Sequence, residues 1–208
     1  MKDKRQQILE AAEELFAEKG FEGTSVRELA KKAGINIAMI SYYFGSKEKL
    51  FEALVEFRTS YIREKLQTLN RNEVLDPVSK IETAIDLYVD RISSFPNFHK
   101  ILHHEMMLKQ RSNMHDAIAT ILMKNSQEMK KLVHAGQQQG LFRKVDADLL
   151  VVSIVGTINQ CSMSKTMTTR LLKLGKGSIF DAQPKKRLKN YLKDLVRSYL
   201  LNKKSLAS

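Results

Sequence analysis

The sequence predicts an all-α protein of about nine helices, with a small three-helix head followed by a larger helical body. Three observations support this fold class. Apolar residues recur at helical spacing in most segments, the chain has no Trp and only three Pro, and 43% of its 208 residues are hydrophobic. We expect the head to cover residues 1–46 and the body to cover residues 47–208.

The first predicted helix covers about residues 3–19 and braces the two helices that follow. Gly20 ends it, because glycine readily leaves the helical conformation. Its buried face carries four apolar residues at helical spacing: Ile8, Ala12, Leu15 and Phe16.

Residues 24–51 predict two short helices joined by a tight turn, followed by a third helix. Ser25 is a candidate N-cap, and Glu28 stands three residues later as its capping-box partner. Gly34 can take the left-handed conformation that ends the first of these helices, and Asn36 can cap the second. The core-facing positions of the first short helix are Val26, Leu29, Ala30 and Ala33.

The second short helix is predicted to bury only Ile40 and Phe44, which lie one turn apart. This is helix-turn-helix anatomy, in which the second helix enters the major groove of DNA. Apolar side chains on its outer face suit contact with thymine methyl groups. The outward positions are Ile37, Ala38, Met39, Ser41 and Tyr42.

Polar groups around the same helices are candidates for phosphate contacts. Thr24 and Ser25 offer hydroxyl and backbone N–H groups at a helix start, which is a natural site for a phosphate. Lys47 lies in the first turn of the next helix, where a cation opposes the helix dipole. A nearby phosphate would explain a cation at this position. A solvated surface or a register shift by one residue would explain the same pattern without DNA. The predicted DNA-binding residues are Thr24, Ser25, Arg27, Asn36, Ile37, Ala38, Met39, Ser41, Tyr42, Tyr43 and Lys47.

The net charge of +12 does not by itself indicate DNA binding, because of where it lies. Residues 1–50 carry 9 Lys and Arg against 8 Asp and Glu, and residues 51–164 carry 14 against 13. Residues 165–208 carry 12 against 2, so the excess is far from the predicted head. The helix-turn-helix pattern therefore carries the DNA prediction.

The body is predicted to contain six helices. The one at about 146–166 is apolar nearly all round, which indicates burial on more than one side. The last one has a row of cations, Lys186, Lys189, Lys193 and Arg197, and these either are solvated or face something acidic. We favour solvation. The helices cover about residues 47–70, 77–92, 97–110, 113–139, 146–166 and 184–202.

Several classes of protein are disfavoured. The sequence contains no run of about 18 apolar residues, so it predicts no membrane span. The first residues lack the apolar core of a signal peptide. Cys161 is the only cysteine, so an internal disulfide is impossible, as suits a reducing cytoplasm. His99 and His103 have metal-ligand spacing, but polar or interface histidines are the simpler interpretation. We predict no catalytic residues, no metal and no cofactor.

Roughly the first quarter of the chain carries four motifs in a fixed order. They are Ile8-Leu9-x-Ala11-Ala12-x-x-Leu15-Phe16, Gly20-Phe21-x-x-Thr24-Ser25-Val26, Leu29-Ala30-x-x-Ala33-Gly34-Ile35 and Tyr43-Phe44-x-Ser46-Lys47-Glu48-x-Leu50-Phe51. With these motifs the head resembles the tetracycline-repressor (TetR) family of bacterial transcription regulators. The family often has Tyr at the position of Ser41, whereas the aromatic residues here are Tyr42 and Tyr43.

The resemblance implies a cytoplasmic homodimer that binds double-stranded DNA at a palindromic operator, with helices 146–166 and 184–202 forming the interface. It also implies a cavity in the body for an unidentified small-molecule inducer that releases a repressor from DNA. The alternative is a regulator of the same fold that is controlled by a protein partner. The candidate pocket residues are Phe98, His103, Met106, Met107, Ile121, Phe142, Cys161 and Met163.

Overall fold

The computed structural model describes residues 3–108 and 112–201, and within these ranges it confirms the all-α fold. There is no strand in the described ranges, only an isolated bridge between Phe142 and Leu201. The helices are α1 (Lys4–Lys19), α2 (Val26–Ala33), α3 (Ile37–Phe44), α4 (Lys47–Arg71), α5 (Pro77–Ser94), α6 (Pro96–Met107), α7 (Ser112–Gln138), α8 (Ala147–Met163), α9 (Lys165–Leu171) and α10 (Ala182–Leu200).

One predicted helix is in fact two. The segment predicted as a single helix over 146–166 breaks at Ser164, which ends α8 and precedes the seven-residue α9. The described residues therefore form ten helices rather than about nine. The last predicted helix extended to residue 202, which lies outside the described residues.

The chain forms two compact units that are not contiguous in sequence. The first combines the chain up to Tyr61 with the described part of Phe95–Met123, and the second combines Ile62–Ser94 with the described part of Lys124–Ser208. Because the boundaries fall within α4 and α7, each of these helices contributes to both units. The division at residue 46 is a functional one and stays a prediction.

Three phenylalanine rings form the centre of the first unit. Phe16 of α1 lies 5.3 Å from Phe21 and 5.6 Å from Phe51 of α4, measured between ring centroids. All three side chains are buried, and burying one such ring contributes about 1.5–3 kcal/mol. The same core cluster contains residues of α2, α3, α6 and α7 as well. The three head helices therefore share one core with parts of α4, α6 and α7.

A mostly buried ion pair joins α1 to α4 in this unit. The Nε atom of Arg58 lies 2.5 Å from the Oε2 atom of Glu13. The guanidinium group also lies 4.2 Å from the centre of the Phe95 ring, at the start of α6. Removing one partner of such a pair leaves an uncompensated charge and typically costs about 3–5 kcal/mol.

In the second unit, α5 packs against both α8 and α10. Its buried residues Ile81, Ile85 and Val89 share a core cluster with apolar residues of α7, α8 and α10. Gly136 of α7 is also buried in this unit and contacts the ring of Phe142.

Ion pairs connect α10 to α5 along their length, and they correct the prediction that the basic row of α10 is solvated. Lys189 and Lys193 place their ammonium groups 2.8 Å from Asp90 and 2.6 Å from Asp86. Two further pairs extend this ladder, Lys185 with Asp90 and Arg197 with Glu82. The pKa of Arg197 is raised by its hydrogen bond to Glu82. Lys186, the fourth residue of the predicted row, is exposed.

Gly136→Ala should destabilise the second unit. A Cβ atom at this position would lie 2.1 Å from Cδ2 of Phe142, and overpacking of this kind costs about 1–3 kcal/mol. Alanine is also more favourable than glycine inside a helix by about 1 kcal/mol, which offsets part of this cost. We therefore expect a net decrease in the free energy of unfolding. Urea denaturation should show a lower midpoint than for the unchanged chain.

The control is Gln127→Ala, an exposed position on the same helix. Its midpoint should stay the same or rise slightly. A Gly136→Ala protein as stable as this control would contradict the proposed close packing.

Candidate nucleic-acid interface and pocket residues

The start of α2 is fixed by the predicted capping box. The Oγ atom of Ser25 accepts a hydrogen bond from the Glu28 N–H (3.2 Å), and Glu28 Oε2 accepts one from the Ser25 N–H (2.9 Å). Glu28 also lies 2.7 Å from the ammonium group of Lys19. These hydrogen bonds, from Lys19 first and then from Ser25, lower the pKa of Glu28 to about 2. The helix start therefore already carries an ionised carboxylate.

This arrangement corrects the prediction that Thr24 and Ser25 present free groups to a phosphate. The side chain of Thr24 is buried, and its hydroxyl donates to the carbonyl oxygen of Gly20 at 2.8 Å. The hydroxyl and backbone N–H of Ser25 are both engaged by Glu28. The Thr24 hydroxyl therefore connects the start of α2 to the end of α1 inside the unit. A DNA contact by the exposed Ser25 stays a prediction.

The turn between α2 and α3 has the predicted geometry. Gly34 is left-handed, with φ 63° and ψ 38°, and the N–H of Ile35 donates back to the carbonyl of Ala30 at 3.0 Å. Asn36 then caps α3, because its Oδ1 atom accepts from the Ala38 N–H at 2.9 Å. The two caps fix where α3 begins.

The two faces of α3 largely follow the sequence-based prediction. Ile40 and Phe44 are buried, whereas Ile37 and Tyr42 are 46% and 83% exposed. Met39 differs, because it is half-buried. The exposed residues of the outer face are Ile37, Ala38, Ser41 and Tyr42.

The adjacent tyrosines have different environments. The ring of Tyr43 is half-buried and packs against the core of the first unit. It meets the Tyr42 ring edge-on, with centroids 5.2 Å apart. Tyr43 therefore supports Tyr42, which has the more accessible phenol group.

The cations around α3 are also unequal. Arg27 is exposed, and Lys32 pairs with Glu14 at 2.7 Å. The Lys47 ammonium group donates to the carbonyl oxygens of Phe21 and Thr24, at 2.9 and 3.0 Å. These bonds explain a cation at the start of α4 without a phosphate. An ammonium group has three donors, and a phosphate contact by the remaining one stays a prediction.

The eight candidate pocket residues are divided between the two units. Phe98, His103, Met106, Met107 and Ile121 belong to the first unit, and Phe142, Cys161 and Met163 belong to the second. Phe98 and Phe142 are buried in their own core clusters, where they act as ordinary packing residues. Met106, Ile121 and Cys161 are partly buried against these clusters.

Two pocket predictions need correction. Met107 is 76% exposed and Met163 is 44% exposed, so both lie at the surface of the chain rather than around an interior cavity. Conversely, the sequence does not predict that Glu105 is buried. Its side chain is buried on α6, and its Oε1 atom lies 3.3 Å from Nδ1 of His104. Its spacing from Ile101 and Leu102, four and three residues earlier, could have placed it on the buried face.

Two other kinds of feature are absent from the described ranges. In residues 3–108 and 112–201, no three His, Cys, Asp or Glu side chains are grouped closely enough to hold a metal ion. Across the same residues, no helix combines the length and the apolarity needed to cross a membrane.

Comparisons with known proteins identify both parts of the chain. Residues 8–54 match the family described as bacterial regulatory proteins, tetR family, and residues 77–196 match the tetracyclin repressor-like C-terminal domain. The chain is 34% identical over 139 residues to the probable HTH-type transcriptional regulator YttP of Bacillus subtilis, covering 65% of each protein. It is 30% identical over 148 residues to the HTH-type transcriptional repressor NicS of Pseudomonas putida, covering 67% of this chain and 66% of NicS. The chain thus spans just under two thirds of the length of these relatives.

Solved structures share the fold. The transcriptional regulator FadR from Bacillus subtilis, in complex with stearoyl-CoA, superposes with a TM-score of 0.73 at 22% identity, covering 92% of this chain and 96% of FadR. The fatty acid degradation regulator FadR from Bacillus halodurans gives a TM-score of 0.72 at 21% identity, covering 90% and 97%. Since the two family matches together cover most of the sequence and agree with the helix-turn-helix geometry of α2 and α3, the chain belongs to the TetR family of DNA-binding bacterial transcription regulators.

Proposed function

We propose that the protein is a cytoplasmic repressor that binds a palindromic operator as a homodimer and is released by a small organic ligand. The outer face of α3 carries this proposal. Ile37, Ala38 and Tyr42 face solvent on a helix whose other side is anchored in the core. Apolar side chains on such a face fit thymine methyl groups in the major groove, and the Tyr42 hydroxyl fits a phosphate.

A dimer supplies the specificity that one helix-turn-helix lacks. A single α3 reaches only a few base pairs, whereas two copies related by a two-fold axis read two half-sites about 34–36 Å apart. In the second unit, α8 exposes Leu149 and Val152, and α10 exposes Tyr191 and Leu195. These two helices largely coincide with the segments that we expect to form the interface, residues 146–166 and 184–202.

Release by a ligand follows from population shift. A ligand that prefers a conformation with the two heads at the wrong separation lowers the population able to bind the operator. The solved FadR with stearoyl-CoA makes this molecule a suitable first probe. Within the first unit, Met106 and Ile121 pack partly buried against the core, and we propose that this region contacts the ligand.

The alternative of control by a protein partner loses support at α10. The basic row of this helix is the surface to which an acidic protein partner would bind, but Lys189, Lys193 and Arg197 are paired with α5. A partner would have to displace these ion pairs. We therefore favour the small-molecule proposal.

Ile37→Ala and Tyr42→Phe should affect DNA binding differently. Loss of the Ile37 side chain removes a base contact, so a site selected from random DNA should change at one position in each half-site, and affinity for the original site should fall by about 1 kcal/mol, or roughly fivefold. Loss of the Tyr42 hydroxyl removes a phosphate contact, so binding should weaken similarly for all sequences. Binding-site selection and fluorescence anisotropy at fixed salt measure both.

The control is Val74→Ala, which shortens an exposed apolar side chain between α4 and α5. It should leave both the selected motif and the affinity unchanged. If Ile37→Ala selects the same motif as the unchanged protein, Ile37 does not read bases.

Met106→Trp and Met107→Trp should separate the ligand proposal from nonspecific effects. The two residues are adjacent, but Met106 packs against the core whereas Met107 is exposed. A bulky ring at 106 should fill space that the ligand needs and abolish ligand-induced release from the operator. The same ring at 107 should leave release intact.

The measurement uses stearoyl-CoA first and then a small-molecule fraction of cell extract. A ligand that binds the native state should raise the melting temperature of the unchanged protein. If neither probe shifts the melting temperature or releases DNA, the ligand part of the proposal fails while the DNA-binding part stands.

A further inference from the structure

Gly156 is an unusual residue for its position in α8. It lies near the middle of the 17-residue helix Ala147–Met163 and is exposed. A Cβ atom built at this position would meet no atom within 4 Å among the described residues. The structure of the single chain therefore gives no packing reason for a glycine here.

Glycine is nevertheless a costly choice inside a helix. It is less favourable there than every residue except proline, because it loses the most backbone freedom on folding. Gly136 of α7 shows what a required glycine looks like, since an added Cβ would overlap the ring of Phe142. If Gly156 has to lack a side chain, the reason must therefore be a contact with another molecule.

The surface around Gly156 is suited to burial by another helix. Leu149 and Val152, two turns and one turn earlier, are 62% and 66% exposed. The hydroxyl groups of Ser153 and Thr157 donate to the carbonyl oxygens of Leu149 and Ser153, at 2.8 and 2.7 Å. Covering this face would therefore not leave these two donors without a partner.

The charges of α10 favour a second copy of this chain as the covering partner. Its cations Lys189 and Lys193 are paired with Asp90 and Asp86 of α5, within the same chain. This pairing leaves Tyr191 and Leu195 among the exposed residues of α10, with Arg187 and Asp194, which have opposite charges, exposed beside them. Because the flanking charges are of both signs, two copies can meet at these surfaces without a row of cations facing another row of cations.

We propose that a helix of the second subunit crosses α8 at Gly156, where the missing side chain allows the two backbones to approach closely. Packed helices usually lie 8–10 Å apart, and small residues at the crossing permit the short end of that range. The inference rests on the proposed homodimer and adds the residue that determines how closely the subunits pack. It identifies Gly156 as a specificity-determining position for self-association.

The test compares Gly156→Ala and Gly156→Leu with the unchanged full-length protein. Sedimentation equilibrium over a wide concentration range gives the dimer dissociation constant of each. We expect it to rise about tenfold for Gly156→Ala and at least 100-fold for Gly156→Leu. Circular dichroism should show unchanged helix content for Gly156→Ala, because alanine favours the helix and has open space in the single chain.

Gln127→Leu is the matched control, since it adds a similar apolar side chain at an exposed position of α7. Its dissociation constant should stay within about twofold of the unchanged protein. A dimer of unchanged strength in both Gly156 variants would overturn the crossing at Gly156 while leaving the homodimer intact. An unchanged protein that is monomeric at every concentration would instead overturn the homodimer itself. If Gly156→Leu fails to fold, the tenfold effect of Gly156→Ala decides.

Discussion

The presentation of α3 depends on two buried side chains. The helix has eight residues, and isolated helices shorter than about 12–15 residues are marginal in water. Its own hydrogen bonds therefore do not suffice to hold it, and the burial of Ile40 and Phe44 in the core of the first unit must supply the remaining stability. Any change that loosens this core acts on the outer face of α3, even when the residues of that face are untouched.

That core extends beyond the three head helices, and this determines which other helices support the outer face of α3. Phe98 of α6 and Ile118 of α7 are buried in the same cluster as Ile40 and Phe44. Arg58 of α4 adds a polar connection, because it pairs with Glu13 of α1 and stacks on Phe95 at the start of α6. A displacement of α6 would therefore disturb the support of α3 in two ways, through the shared apolar cluster and through the contacts of Arg58. The head helices are thus connected to α6 as well as to α4.

The features that the sequence predicted well are those determined by neighbouring residues. The capping box of Ser25 and Glu28 and the left-handed turn at Gly34 depend on groups within a few positions, so their pattern is visible in the chain. The interior role of the Thr24 hydroxyl and the carbonyl contacts of Lys47 depend on α1 and on the link to α2, which the local pattern does not specify. The DNA contacts themselves stay predictions, because they require a partner molecule.

The basic C-terminal segment shows the same limit and leads to a different view of the last helix. In the sequence, Lys189, Lys193 and Arg197 form a row of like charges with no visible partner, since Asp90, Asp86 and Glu82 stand about 100 positions earlier. The rotation of α10 about its own axis is set mainly by its buried apolar face, because partly exposed ion pairs contribute only about 0–1 kcal/mol each and burial of one apolar side chain contributes about 1.5–3 kcal/mol. That face consists of Leu188, Leu192, Val196 and Leu200. The three ion pairs reinforce the same rotation, since a rotated helix would break them together. The buried face and the ion pairs together leave Tyr191 and Leu195 exposed.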